Sequence, residues 1–198
     1  MTAEITTRRS PLQEWTAQFD ALPAAVRLRE LPFITQLNLR VDPTGPAGAA
    51  TAAVLGTPLP TEPGTATRVG DIEVLWLGPD EWLVLAPQGS AALQDTLSTA
   101  VSGHGAVIDV SAQRTTLHLA GPRARDLLAH GCSIDLHPAV ARQGKCVTTL
   151  LALAGVTLVV HSDTADDYWI LVRSSFADYL AGWLVDACAE YRDDPQWL

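Results

Sequence analysis

The feature that most constrains the fold is an internal echo. Asp80-Glu81-Trp82-Leu83-Val84-Leu85 resembles Asp167-Tyr168-Trp169-Ile170-Leu171-Val172, an offset of 169 − 82 = 87 residues. The same offset brings Leu93 onto Leu180 and Leu97 onto Leu184. Each copy reads as an acidic turn residue, a Trp-containing strand and then an amphipathic helix. A strand–helix module used twice in one chain implies two pseudo-equivalent halves, each a sheet with helices on one face, in the α+β manner. The plain alternative is a chance match of two strand–helix joins.

The remaining elements are placed around this echo. Residues 10–22 read as a helix, with Ser10 as N-cap, Pro11 in the first helical position and Leu12, Trp15 and Phe19 at helical spacing. Residues 33–41 alternate as a strand, Ala49–Leu55 reads as a small-residue strand, and 56–70 as a long irregular connection rich in Pro and Gly. Strands follow at Glu73–Leu77 and Glu81–Ala86, joined by Gly78-Pro79-Asp80. A helix is expected at Ser90–Val101, strands at Ala106–Val110 and Thr115–Ala120, and a short helix at Pro122–His130. Val147–Leu153 and Val156–His161 form a hairpin around Ala154-Gly155, and Tyr168–Arg173 is the last strand. Ser175–Glu190 is the best helix, with Ser175 and Asp178 spaced as a capping box. The domain reading is an N-terminal helical extension over 1–32 and a single α+β domain over 33–198.

Charge and cysteine content narrow the function. A net charge of −9 repels phosphate backbones and acidic head groups, so neither nucleic acid nor membrane is expected as a partner. Three widely spaced cysteines do not make a secreted disulfide framework and point to a reducing compartment. Arg8-Arg9 is not followed by the apolar run that a signal peptide needs. The longest apolar stretch, Val147 to Val160, is too short and too interrupted to span a bilayer. The expected location is cytoplasmic. Apolar residues make up 47% and charged residues 18%, which permits either a large core or an exterior partly covered by other chains.

The search for chemistry finds little. Gly103-His104-Gly105 lacks the third glycine of a dinucleotide fingerprint, Gly144-Lys145 is followed by Cys146 rather than Ser or Thr, and no serine sits in a G-x-S-x-G elbow. His130, Cys132 and His137 are close in sequence, but a structural zinc site needs a fourth ligand, and no metal is expected. Cys132 follows a helix C-terminus, the wrong end to activate a thiol. The candidate contact residues are Asp109, Ser111 and Arg114, in a polar turn between two strands that presents them to a ligand or a partner. The competing reading has Asp109 and Ser111 bonding local amides and Arg114 paired with a carboxylate. No catalytic residue is assigned.

Three stretches resemble the γ subunit of heterotetrameric sarcosine oxidase: LWLGPDEWLVLAP (75–87), VIDVSAQRTTLHLAGPRARDLLAHGCSIDLH (107–137) and GKCVTTLLALAGVTL (144–158). The ending, DYWILVRSSFADYLAGWLVDACAE (167–190), is similar to that family's last strand and helix. The similarity runs from about residue 30 to 190. More distantly, the D-V-S…G-P-x-A-R-x-L-L pattern resembles the folate-binding aminomethyltransferases of the glycine cleavage T-protein class. That resemblance implies two intertwined ferredoxin-like halves. The resemblance to the sarcosine oxidase γ subunit implies a heterotetramer with alpha, beta and delta subunits, in which other chains hold FAD, FMN, NAD and tetrahydrofolate. The complex would demethylate sarcosine to glycine, yielding hydrogen peroxide and methylene-tetrahydrofolate. This chain would be its non-catalytic subunit and carry no cofactor; the alternative is a tetrahydrofolate-like binding module with a vestigial pocket that has Asp109, Ser111 and Arg114 near its mouth. A stand-alone aminomethyltransferase is the weakest reading.

Overall fold

The computed structural model describes residues 8–192. The first seven residues of the expected extension and residues 193–198 lie outside the described residues. A 3-10 turn at Gln13–Trp15 leads into α1 (Thr16–Asp20), β1 (Arg27–Leu31), β2 (Thr35–Val41) and α2 (Pro46–Leu55). Then come β3 (Ala66–Val69), β4 (Ile72–Gly78), β5 (Glu81–Ala86), α3 (Ala91–Val101) and β6 (Gly105–Asp109). The second half holds β7 (Arg114–Ala120), α4 (Ala124–Ala129), β8 (Cys146–Leu151), β9 (Ala154–Val160), β10 (Asp167–Arg173) and α5 (Ser174–Ala187).

The strands form two five-stranded sheets, ordered β1-β7-β10-β9-β8 and β3-β4-β5-β2-β6, with every named pair antiparallel. In the second sheet, β2-α2-β4-β5-α3-β6 has the ferredoxin-like order β4-β5-β2-β6, with β3 added at the edge. In the first, β7-α4-β9-β10-α5 repeats that path, with β8 at the edge. The place beside β7 that matches β6 beside β2 is filled by β1, from the other end of the chain. The two halves are therefore intertwined.

Period-two alternation lets each strand feed two cores. Leu37, Leu39, Trp82 and Val84 meet Leu55 of α2 and Leu97 and Val101 of α3. Leu117, Leu119, Tyr168, Ile170 and Val172 meet Leu127 of α4 and Ala177, Leu180, Ala181 and Leu184 of α5. The opposite faces pack on each other through Leu75, Leu83 and Leu85 on one side and Cys146, Val159 and Leu171 on the other. The result is a helix–sheet–sheet–helix sandwich with a seam between the sheets.

Several elements differ from the sequence reading, each for an identifiable reason. Residues Ala49–Leu55 lie in helix α2, not a strand. Pro46 opens it, Gly56 closes it at φ 72°, and its alanines are strong helix formers. The hairpin turn falls at Ala152-Leu153, with Ala152 at φ 51°, and Gly155 lies in β9 opposite Leu150. No capping box forms at α5; Asp178 instead accepts from the indole of Trp15 at 2.8 Å. Ser10 likewise donates to Glu30 at 2.6 Å rather than capping a helix. Strand β1 is an addition within the 1–32 segment. It pairs along β7, and Leu12, Phe19, Val26 and Leu28 join the larger core.

Candidate functional site

The polar residues of the sequence motifs mostly serve the fold. Gly78-Pro79-Asp80 turns β4 into β5 through a bulge, and Asp80 pairs with Arg40 at 3.1 Å. Glu81 accepts from Asn38 at 2.8 Å. Trp82 is fully buried and donates to the Pro60 carbonyl at 2.8 Å. Gly121, in the A-G-P motif, sits at φ 124°, where a Cβ would stand 2.5 Å from the Ala25 carbonyl. Glycine is needed there for both conformation and space.

The three sequence candidates do not converge. Asp109 accepts from the Ser111 amide at 2.8 Å and also from its hydroxyl. The Ser111 hydroxyl oxygen in turn accepts from the Gln36 amide at 2.9 Å. Both line a shallow groove of about 150 Å³ with Thr35, Ser90 and Gln94. Arg114 does not line that groove. It projects from β7 to the seam side of its sheet, because Leu171 and Arg173 on the paired strand β10 face that way. Burial first, and then the neighbouring Arg173, pulls its pKa below the usual guanidinium value, opposed by Glu81. Local amide bonding thus describes Asp109, Ser111 bonds the amide of the distant Gln36, and Arg114 makes no carboxylate pair among the described residues.

A second cluster, which the sequence reading does not single out, lies at the other end of the seam. Glu73 of β4 is 4% exposed, and its carboxylate accepts from Nε2 of His161 at 2.9 Å. The His161 ring meets Trp169 edge-on at 4.7 Å between centroids, and Arg68 lies 5.5 Å over the same indole. Asp167 accepts from Nε2 of His118 at 3.0 Å, and Arg29 donates to Nδ1 of the same ring at 3.1 Å. A cleft of about 170 Å³ opens here, walled by Ile34, Leu85, Ala86, Pro87 and Trp169, with Arg68, Asp71 and Glu73 as its polar groups. It is a small, aromatic-walled hollow whose buried acid is already engaged.

Burial lowers the pKa of His118 from 6.5, with Asp167 opposing. With its folded value below its unfolded one, the unfolded chain takes up this proton first as the pH falls. His118 therefore contributes its full stability above about pH 6.5 and loses it progressively below. His118→Gln is expected to flatten the acid-side decline, read from urea midpoints at successive pH values.

Two of the thiols are held inert by burial. Burial pushes Cys146 up to about 12 and Cys188 up to about 11, so both are inert at neutral pH. No group of three His, Cys, Asp or Glu side chains among the described residues is arranged to hold a metal ion. Among those residues no helix is long and apolar enough to cross a membrane.

With the geometry in place, similarity settles the lineage. Residues 40–190 match the sarcosine oxidase, gamma subunit family. The chain belongs to that family. The sarcosine oxidase gamma relative from Corynebacterium sp. (strain U-96) is 40% identical over 190 residues, covering 93% of this chain and 91% of the relative. The solved heterotetrameric sarcosine oxidase from Corynebacterium sp. U-96 contains a chain that superposes with a TM-score of 0.86 at 39% identity, covering 93% of this chain and 96% of that one. The aminomethyltransferase T of the glycine cleavage system from Bartonella henselae matches with a TM-score of 0.62 at 16% identity, over 85% of this chain and 48% of that one. At that identity the likeness is one of fold alone, and it accords with the intertwined halves of this gamma family member.

Proposed function

We propose that this chain is the non-catalytic gamma subunit of a heterotetrameric, flavin-dependent sarcosine oxidase, working in the cytoplasm. The complex oxidatively demethylates sarcosine to glycine, reducing oxygen to hydrogen peroxide and, with folate, forming methylene-tetrahydrofolate. FAD, FMN, NAD and tetrahydrofolate sit on the alpha, beta and delta partners. The observation that carries the reading is the employment of the motif side chains: Asp80, Glu81, Trp82, Asp109 and Ser111 are each engaged in turns and strand pairing. A side chain used to hold the backbone is poorly placed to move protons or bind a cofactor. The test is co-purification with the other subunits, together with oxygen uptake by the isolated chain. Stable association and no sarcosine-dependent uptake are expected; uptake by the chain alone would contradict it.

The second reading, a tetrahydrofolate-like binding module, has the cleft beside Trp169, Arg68 and Glu73 in its favour. Calorimetry of the chain with tetrahydrofolate decides. A binding signal lost in Trp169→Ala would place the ligand there, and silence at high micromolar ligand would retire the idea.

A further inference from the structure

The seam ends, away from Glu73, in a charge arrangement that the chain itself does not resolve. Arg114 and Arg173 stand directly opposite one another in the β7–β10 register. Directly opposed side chains share a face, and two like charges there repel. Arg114 is half-buried and Arg173 exposed. No described carboxylate lies within ion-pair reach of either. Glu81, whose charge reaches Arg114, is held by Asn38 at 2.8 Å and Arg40 at 3.6 Å.

Two exposed aliphatic side chains share the seam-side faces of the sheets with this pair. Leu150 alternates in phase with Cys146 of the seam core yet is 58% exposed; Ile108 alternates in phase with Val110 and is 56% exposed. Register places Leu150 opposite Gly155, and Gly155 precedes Val156, the partner of Val172. Leu150, Gly155, Arg173 and Arg114 therefore run as one row across the sheet, and Ile108 lies on the seam side of the other sheet. On a chain of net charge −9, two facing arginines without a described carboxylate partner stand out.

We propose that this end of the seam is an interface. A segment of a larger subunit seats a carboxylate between Arg114 and Arg173, while its apolar neighbours cover Ile108 and Leu150. Guanidinium–carboxylate pairing supplies the missing counter-charge with directional hydrogen bonds, and covering the aliphatic side chains excludes the water that would screen it. The inference rests on the subunit reading above and names the face and partner chemistry that reading leaves open.

Competition for incorporation tests it. Tagged wild-type chain and an untagged variant are co-expressed with the full set of partner subunits, and their ratio in the purified complex is measured. Arg114→Glu/Arg173→Glu is expected to be under-represented by at least about 30-fold, the order expected when one side of a covered charge pair is lost. Phe176→Ser, on the exposed face of α5, is expected to compete equally with wild type. Urea midpoints report whether the double variant folds; if it does not, Arg173→Glu alone, at an exposed position, carries the same test. Equal incorporation of a folded arginine variant would overturn the interface and leave the subunit reading intact. Absence of the wild-type chain from the complex would remove both. Variants that abolish self-association of the isolated chain, yet enter the complex normally, would assign the face to a second copy and also overturn the proposal.

Discussion

Trp82→Ala is expected to destabilise the chain by about 3–5 kcal/mol, the range for emptying a fully buried aromatic site. The indole is completely buried among Leu37, Leu39, Val84, Leu97 and Val101. Its removal opens a cavity between β5 and the helices and strips the Pro60 carbonyl of its 2.8 Å donor. Against a typical total stability of about 5–15 kcal/mol, this is enough to unfold a marginal fold at 37 °C. The measurement is the urea midpoint at unchanged slope. The echo partner provides the control. Trp169 faces the seam and is partly exposed, so Trp169→Ala is expected to cost clearly less. Equal losses would show that the two tryptophans occupy equivalent environments, contrary to the packing described.

His161→Ala is expected to cost about 3 kcal/mol or more at neutral pH. The substitution leaves the Glu73 carboxylate, 4% exposed, without the donor that reaches it at 2.9 Å. An uncompensated buried charge costs more than the pair itself contributes. The double variant Glu73→Gln/His161→Ala is expected to recover most of the loss, because a neutral amide tolerates the desolvated seam far better than a carboxylate. A double-mutant cycle on urea midpoints gives the coupling directly. A cycle that closes additively would mean that Glu73 and His161 do not act as a pair.

The contrast between the tryptophans shows how far the sequence could be read. The echo located both strand–helix modules, since β5 leads to α3 and β10 leads to α5. The helix leucines are equivalent at the offset, because Leu97 and Leu184 are both fully buried. The strands are displaced by one residue: Trp82 faces its helices, as Tyr168 does, whereas Trp169 faces the seam. A shift of one position exchanges the faces of a strand, and letter-by-letter matching does not register it. Alternation located most strands where one or both faces are apolar. It missed β1, a charged edge strand whose place depends on β7, far along the chain. The Ala-rich α2 lacks a strong polar face, and only its Pro46 and Gly56 boundaries mark it as a helix.

The site was less legible than the fold for the same reason. Asp109 and Ser111 attract notice because they lie two residues apart in sequence, and that closeness lets the Asp109 carboxylate accept from the Ser111 amide and hydroxyl. Glu73 and His161 lie 88 residues apart, and Arg114 meets Arg173 only through the β7–β10 register. The first arrangement comes from stacking one sheet on the other and the second from strand pairing, and no short motif carries either. Family resemblance supplied the functional class from the stretches it covers, while the placement of Arg114 beside Arg173 depends on the pairing of β7 with β10.

The central claim is that this chain builds the enzyme without performing its chemistry. The most direct measurement co-expresses the other subunits with and without this chain, then compares subunit composition, thermal stability and sarcosine turnover per flavin. The account predicts that omission leaves an incomplete, less stable assembly with reduced turnover, while the isolated chain turns over nothing. Assembly, stability and turnover all at the level of the complete enzyme in the absence of the chain would contradict it.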